Sequence, residues 1–192
     1  ATGLDIGCGN GRHTAPLSQI VDRTIGLDLS RSLLEHARDA MRGTVESPRT
    51  GNDPPTGGWR ATLVQGDARS LPVADSAVDV ALYVATLHHL PDREARIESL
   101  SELSRVLGAE GTALVSAWST EHERFAGHDS GFDTTIDWTL PGGETVPRFY
   151  HIYGPDEFEQ DLRNGGLTVD SFEVSSGNCY ATVSPAVERK HP

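Results

Sequence analysis

Lysine, cysteine and long apolar runs are all scarce in this chain of 192 residues. Lys190 is the only lysine, so arginine supplies 15 of the 16 basic residues against 28 acidic ones, and the formal net charge is −12. This balance excludes a broad basic surface, which is the usual footprint of a nucleic-acid-binding protein. An acidic, lysine-poor composition is typical of salt-loving (halophilic) microbes, archaea among them. The alternative is an acidic face for a basic partner, and charge count alone does not separate the two.

The few cysteines and apolar runs exclude further classes. Cys8 and Cys179 lack the CxxC spacing of a metal or redox site, so we predict no metal ligands and a reducing, cytoplasmic setting. No run of 18 apolar residues exists and the mean hydropathy is −0.37, which excludes a membrane-spanning helix. The opening residues ATGLDIG do not resemble a signal peptide, and we expect an N-terminal segment upstream of Ala1.

Strand-like and helix-like segments alternate along the chain and predict one α/β domain over residues 1–192. The predicted strands are TGLDIG, TIGLDLS, ATLVQGD, AVDVALYVAT, GTALVSAW, LTVDSFEVS and CYATVSP. The predicted helices are HTAPLSQIV, SRSLLEHARDAMR with Ser32 and Glu35 at capping-box spacing, residues 92–107 closed by Gly108, and GPDEFEQDLRNGG. This alternation favours a seven-stranded, mostly parallel sheet with helices on both faces and a final antiparallel strand. Residues 43–60 are expected to form a surface loop, and residues 119–150 an insertion without sustained periodicity over the active-site end of the sheet.

The turn after the first strand, in the stretch LDIGCGNGRHT, carries three glycines on alternate positions. They are Gly7, Gly9 and Gly11, and they allow backbone N–H groups to approach a ligand closely. Arg12 occupies the third position of a GxGxxG dinucleotide fingerprint, which argues against a pyrophosphate. Asp28, at the end of the second strand, is placed to accept both hydroxyls of a ribose. Asp67, after the third strand, is placed to accept from the amino group of an adenine. Ribose and adenine without a phosphate site predict an S-adenosyl compound.

Four segments, LDIGCGNG, GLDLS, GDARSLP and ALYVATLHHL, resemble the first four motifs of the class I S-adenosylmethionine-dependent methyltransferases. The resemblance implies a Rossmann-like methyltransferase sheet with S-adenosyl-L-methionine as the cofactor. It places the methionine portion against Asp5 and the glycine turn, the ribose against Asp28, and the adenine against Asp67 and Ala68. The full implied cofactor set is Asp5, Gly7, Cys8, Gly9, Gly11, Asp28, Leu29, Asp67, Ala68, Val84 and His89.

Two further segments resemble the enzymes that methylate the carboxylate of 5-carboxymethyluridine at the wobble position of tRNA. They are TLHHLPDREARIESLSELSRVL followed by GTALVSAW, and RFYHIY. The resemblance implies a tRNA substrate. A carboxylate that attacks a sulfonium methyl is already ionised near neutral pH and needs no general base, so we expect an arginine that clamps the anion. We predict Arg148 in this role, Tyr150 and His151 orienting the nucleotide, His88 as a further substrate contact, and His89 nearer the cofactor.

Several of these side chains have a purely structural alternative. His88 and His89 end an apolar strand, where a histidine often caps or packs. Arg93 and Arg96 open a helix, where they either pair with Glu94, Glu98 or Glu102 on a solvated face or bind tRNA. The aromatic residues with a packing alternative are Tyr150, Tyr153 and Trp118.

The second resemblance also implies a partner, because these tRNA enzymes act with a small zinc-binding activator protein that pairs with an edge strand. In the class I strand order the third strand, from Ala61 to Asp67, lies at an edge, and an exposed apolar edge is a template for another chain. Two other functions remain open: methylation of a small molecule, and non-catalytic nucleoside binding by a scaffold. Convergence of Arg148, Tyr150 and His151 on the methyl-donor pocket would favour the tRNA function over the first of these.

Overall fold

The computed structural model describes residues 1–43, 57–139 and 145–186. Nine strands and four α-helices occur within these ranges. The strands are β1 (Thr2–Ile6), β2 (Arg23–Asp28), β3 (Thr62–Gln65), β4 (Val78–Val84), β5 (Leu107–Trp118), β6 (Phe132–Thr139), β7 (Thr145–Ile152), β8 (Leu167–Ser175) and β9 (Asn178–Pro185). The helices are α1 (Thr14–Leu17), α2 (Arg31–Arg42), α3 (Arg93–Val106) and α4 (Pro155–Asn164).

Seven strands form one sheet in the order β3-β2-β1-β4-β5-β9-β8. The first five pair in parallel, whereas β9 is antiparallel to both β5 and β8. The predicted fold class is therefore confirmed, including the final antiparallel strand. Among the strands of the described ranges, β3 pairs only with β2, so it lies at the predicted edge of this sheet.

The centre of the sheet is covered on both faces. β1 is buried at every position, as expected of a central parallel strand between two helical layers. One cluster joins strand residues such as Leu4 and Val115 to Leu103 of α3 and Phe158 of α4. A second cluster forms around α1, α2 and Trp59. The two clusters fix the strand ends that carry the candidate site.

Three predicted helix boundaries were wrong. The N-cap of α2 is Ser30, whose side chain accepts from the backbone N–H of Leu33, instead of Ser32 with Glu35. α1 covers only residues 14–17. α3 does not end in a cap at Gly108, because Leu107 has extended backbone (φ −67°, ψ 134°) and its buried side chain enters β5 directly. β5 therefore begins four residues before the predicted strand.

Residues 119–150, predicted as an insertion without sustained periodicity, contain regular secondary structure. After a short 3₁₀ turn at Glu123–Phe125, β6 and β7 form an antiparallel hairpin that pairs Phe132 with Ile152 and Thr139 with Thr145. β7 continues two residues beyond position 150.

The predicted loop over residues 43–60 lies mainly outside the described residues. Within the described ranges, no helix is long and apolar enough to cross a membrane.

Candidate active site

The glycine turn is fixed by the neighbouring strand. The backbone N–H groups of Gly7 and Cys8 both donate to the carbonyl of Leu27, at 2.8 and 2.9 Å. Gly7, Gly9 and Gly11 have φ of +73°, +54° and +89°, a region that side chains other than glycine rarely adopt. The turn therefore holds its shape through glycine and two backbone hydrogen bonds to the end of β2.

The three glycines differ in what surrounds them. A Cβ atom on Gly7 would overlap the Thr86 side chain, and one on Gly11 would lie 2.7 Å from the Trp59 ring. A Cβ on Gly9 would meet nothing within 4 Å. Gly7 and Gly11 are thus required by packing, whereas Gly9 borders an open space of the kind that a ligand fills.

Asp28 and Leu29 form the wall beside this space. One carboxylate oxygen of Asp28 accepts from the Gly9 N–H and the other from the Ser30 N–H, both at 2.8 Å. Each oxygen keeps a second lone pair, so the carboxylate is held in place and can still accept from two ribose hydroxyls. Leu29 is 70% exposed, which leaves an apolar surface for a purine ring. This donor and acceptor set fits the nucleoside part of S-adenosylmethionine.

Asp5 lies buried beneath the turn. Its carboxylate accepts a hydrogen bond of 2.6 Å from the Thr14 hydroxyl, and no cation pairs with it within the described ranges. Burial, with a smaller contribution from the charge of Asp28, raises the pKa of Asp5 to about 6. A buried carboxylate of this kind fits the cationic ammonium of a methionine moiety.

The remaining predicted cofactor residues have varied surroundings. Asp67 receives three hydrogen bonds from the guanidinium of Arg69, the shortest 2.7 Å, so its carboxylate is already occupied within the chain. Ala68 packs against the main core. Cys8 is buried and its thiol pKa is raised by burial, so it is an unreactive packing residue. Val84 ends β4 and its carbonyl accepts from Thr86.

An aromatic and histidine cluster follows the ends of β4 and β5. His88 and His89 lie in a 3₁₀ turn after β4 and their rings meet that of Tyr150 at 5.2 and 4.4 Å. Tyr150 also stacks on Trp118 at 5.1 Å. Thr86, which contacts Gly7, is only three residues from His89, so this cluster adjoins the glycine turn.

Both histidines of the cluster are neutral. The Nδ1 atom of His88 accepts from the Trp118 backbone N–H at 3.1 Å, and His89 Nδ1 donates to the Phe149 carbonyl at 3.0 Å. Burial, followed by the nearby charges, holds the pKa of His88 well below its usual range. Burial and the charge of Arg148 lower the pKa of His89 to about 4. Neither imidazole is a cation near neutral pH.

Arg148 supplies the positive charge at this place. Its guanidinium lies over the rings of Tyr150 and Trp138, at 6.0 and 5.7 Å from their centroids. Within the described parts of the chain no carboxylate forms an ion pair with it. The predicted residues Arg148, Tyr150, His88 and His89 are therefore brought together.

His151 is not brought to the same side as Tyr150. Successive residues of a strand point to opposite faces, and His151 lies between Asp133 (2.7 Å) and Glu157 of α4 (3.1 Å). The ring nitrogens Nδ1 and Nε2 each lie within hydrogen-bond distance of one of these two carboxylates. His151 thus connects the hairpin to α4.

Within the described residues, neither Arg93 nor Arg96 forms the expected ion pair with Glu94, Glu98 or Glu102. Arg93 instead pairs with the fully buried Asp161 of α4 at 2.7 Å, a partner that the sequence did not indicate. Arg96 is buried, with its guanidinium over the Tyr153 ring at 5.6 Å. The Arg96 side chain is therefore inaccessible to a nucleic acid, whereas the Arg93 side chain is half-exposed.

Three side chains that matter here were missed from the sequence. Thr14 bonds to Asp5, Thr86 packs on Gly7, and Trp138 lies beside Arg148. The alternation of Phe132, Thr134, Ile136 and Trp138 with polar residues was a readable signal for the strand that carries Trp138. No group of three or more metal-ligating side chains occurs in the described parts of the chain.

The sheet order, the glycine turn and the acidic end of β2 define an S-adenosylmethionine-dependent methyltransferase. Residues 4–115 match the family described as "Methyltransferase domain", and the chain belongs to that family. The non-catalytic scaffold is therefore not supported, and the cofactor is S-adenosyl-L-methionine.

Relatives and solved structures agree with this assignment. The chain is 33% identical over 186 residues to a protein of Encephalitozoon cuniculi that bears a methyltransferase name, with 94% of this chain and 76% of that protein covered. It is 30% identical over 149 residues to the tRNA (carboxymethyluridine(34)-5-O)-methyltransferase of Saccharomyces cerevisiae, covering 76% of this chain but only 47% of the yeast enzyme.

Two solved structures share the fold. An S-adenosylmethionine-dependent methyltransferase of Methanosarcina mazei superposes with a TM-score of 0.73 at 23% identity, covering 97% of this chain and 93% of that one. The methyltransferase chain matched in a Haloferax volcanii complex with the Trm112 methyltransferase activator gives a TM-score of 0.68 at 16% identity, covering 99% and 84%.

Proposed function

We propose that this methyltransferase esterifies a carboxylate on a modified wobble uridine of tRNA and acts as a complex with a small activator subunit. The observation that carries the proposal is the charge of the site. A cation, Arg148, lies beside two neutral histidines, and within the described ranges no carboxylate pairs with it. Such a site attracts an anionic nucleophile and offers no strong base. The 30% identity to the yeast enzyme supports the same substrate class.

The cofactor is held by the residues of the first four motifs. The glycine turn and Asp5 face the methionine portion, and Asp28 with Leu29 faces the ribose and adenine, together with Ala68. When bound, S-adenosylmethionine supplies a methyl group on a positively charged sulfur, and transfer forms an O–CH₃ bond while the S–CH₃ bond breaks. Because Asp67 is occupied by Arg69, the adenine amino group has to share that carboxylate.

The substrate side of the site orients the nucleophile. Arg148 presents two parallel N–H donors to the carboxylate, which aligns one oxygen for in-line attack. Tyr150 supports the guanidinium, and the buried His88 with the half-buried His89 excludes water from one wall of the site. Exclusion of water matters because opposite charges neutralise each other in the transition state, and water would stabilise the separated charges.

The test is methyl transfer to a synthetic anticodon stem–loop that carries 5-carboxymethyluridine, with methyl-labelled cofactor and the co-purified activator. Mild alkali should release the label as methanol, because an ester is hydrolysed whereas N- and C-methyl groups persist. Arg148→Ala should lower kcat/KM by about 10- to 150-fold, the worth of a hydrogen bond to a charged group. Arg148→Lys, which keeps the charge but not the fork, should fall between, and Arg163→Ala on α4 is the control. Label that resists alkali would refute the ester.

The activator is placed by the proposal at the free edge of β3. No strand in the described part of the chain pairs with the outer row of its backbone groups, and a groove beside it is lined by residues such as Ile25, Val64 and Val73. Adjacent strand residues point their N–H groups to opposite sides. One of the two substitutions Thr62→Pro and Leu63→Pro therefore removes an N–H group on the outer side of β3. That variant should abolish co-purification of the activator while leaving the cofactor affinity of the soluble chain intact. Retention of the activator by both soluble variants would place it elsewhere.

A small carboxylic acid is the second candidate substrate, favoured by the acidic composition. The net charge of −12 repels a singly charged acid much less than a polyphosphate. Esterification of the free 5-carboxymethyluridine nucleoside as fast as the stem–loop would support this candidate.

A further inference from the structure

The two faces of the β6–β7 hairpin differ sharply in charge. The pairing of Ile136 with Arg148 and of Thr134 with Tyr150 puts these side chains on one face, and the period of two adds Trp138 and Val146. Asp133 and Asp137 fall on the other face. Among the described strand residues, the first face therefore carries one charge, which is positive. The end of this face at Ile136, Tyr150 and Ile152 is buried in a cluster with Phe125.

The other end of this face, at Trp138, is an exposed aromatic surface next to the site. Trp138 is 48% exposed, although a tryptophan gains more than almost any residue from burial. Its ring meets Arg148, which in turn meets Tyr150, and Tyr150 meets His89. An unbroken series of contacts thus leads from the substrate side of the site to the exposed indole.

We propose that the surface formed by Trp138 and Arg148 binds the nucleotide next to the methylated uridine, with the base stacked on the exposed part of the indole. The inference rests on the proposed function. Single-stranded nucleotides are recognised by aromatic stacking combined with an arginine, and both are present here on the hairpin face whose described strand residues include no acid. A flanking nucleotide is the occupant that suits this position, because Arg148 already lies beside the indole and holds the modified uridine.

The stacking assignment predicts a specific loss of RNA affinity. Trp138→Ala should weaken binding of an unmethylated anticodon stem–loop by about 5- to 150-fold, the range for loss of one stacked base, when measured with S-adenosylhomocysteine so that no turnover occurs. Trp138→Phe should retain most of the affinity. The affinity for the cofactor should not change in either variant, and the affinity for free 5-carboxymethyluridine should fall less than that for the stem–loop. Ile20→Ala, which removes another exposed apolar side chain, is the matched control.

Fluorescence supplies a second readout that does not depend on activity. RNA should quench the emission of Trp138, obtained as the difference between wild type and Trp138→Phe, in the complex with the activator. Equal stem–loop affinity in wild type and Trp138→Ala would overturn the inference but leave the proposed function standing. Quenching by the activator alone, with unchanged RNA affinity, would assign the surface to the protein partner and also overturn it. If Trp138→Ala loses RNA affinity but the wild-type protein forms no ester, the stacking role is supported and the proposed function is refuted.

Discussion

Asp5 makes the sharpest prediction, because a buried carboxylate without a cation should respond to both pH and cofactor. Its pKa is raised from 3.8 to about 6, chiefly by burial. The folded state therefore holds a proton more tightly than the unfolded state, and stability should fall as pH rises from about 4 to 6. At 1.36 kcal/mol per pKa unit, the full cost above pH 6 is about 3 kcal/mol.

Asp5→Asn removes the ionisation but keeps an oxygen that accepts from Thr14. Without cofactor, the variant should equal or slightly trail wild type near pH 4 and exceed it by about 2–3 kcal/mol at pH 7. Urea unfolding of both proteins from pH 4 to 8 measures this difference. Asp170→Asn, at an exposed position of β8, should show no such rise and is the control.

Cofactor binding should show the opposite preference. If the ammonium of S-adenosylmethionine pairs with Asp5, the pKa of Asp5 falls on binding and a proton is released. The affinity of wild type should then decrease up to about tenfold for each pH unit below about 6, whereas that of Asp5→Asn should be weaker at pH 7.5 and insensitive to pH. Calorimetric titration measures both. A pH-independent stability difference, or equal pH dependence of binding in the two proteins, would refute the reasoning.

Three other predictions follow from the site and its supports. Gly9→Ala should lower the free energy of unfolding by only about 1 kcal/mol, since its Cβ has room, yet abolish cofactor binding. Gly7→Ala should abolish cofactor binding and also lower the melting temperature markedly, because its Cβ would overlap Thr86. Equal changes in melting temperature for the two variants would contradict this distinction. Arg93→Ala should lower the free energy of unfolding by about 2–4 kcal/mol, because it strands the buried Asp161, and Asp161→Asn in the same chain should recover part of it in urea titrations. Finally, kcat at saturating cofactor and substrate should be flat from pH 6.5 to 9, because His89 is neutral and the nucleophile is ionised; a rising limb would indicate a general base.

Local signals explain how much could be predicted from the sequence. Gly7 to Gly11 and Asp28 are readable because a tight turn and a strand end are properties of a short segment, and the turn depends on φ values that favour glycine. The same holds for the order of strands, which follows from alternating periods and the rules for parallel connections. Prediction from local sequence gives the wrong helix boundary where two similar residues could each serve as the N-cap, as Ser30 and Ser32 could at the start of α2.

Long-range pairing explains what could not be predicted. Arg93 and Asp161 are 68 residues apart, and nothing near Arg93 distinguishes that partner from three closer glutamates. The separation of Tyr150 from His151 required only the recognition of β7 as a strand, since neighbours on a strand face opposite sides. The alternating pattern of β6 was present in the sequence, but three threonines and two aspartates made it hard to distinguish from the polar residues around it.

The acidic composition can be reconciled with a tRNA substrate through the distribution of the arginines. Among the described residues, those in ion pairs with acids of the same chain are Arg31, Arg38, Arg69, Arg93, Arg105 and Arg163. Affinity for nucleic acid that depends on phosphate neutralisation scales with the number of cations that reach phosphates, and these are already neutralised. Under the proposed function, fewer cations of this chain reach phosphates than its 15 arginines suggest, and local contacts such as those of Arg148 and Trp138 carry more of the recognition. General affinity for tRNA has to come from elsewhere, and under the proposed function the activator subunit is its source.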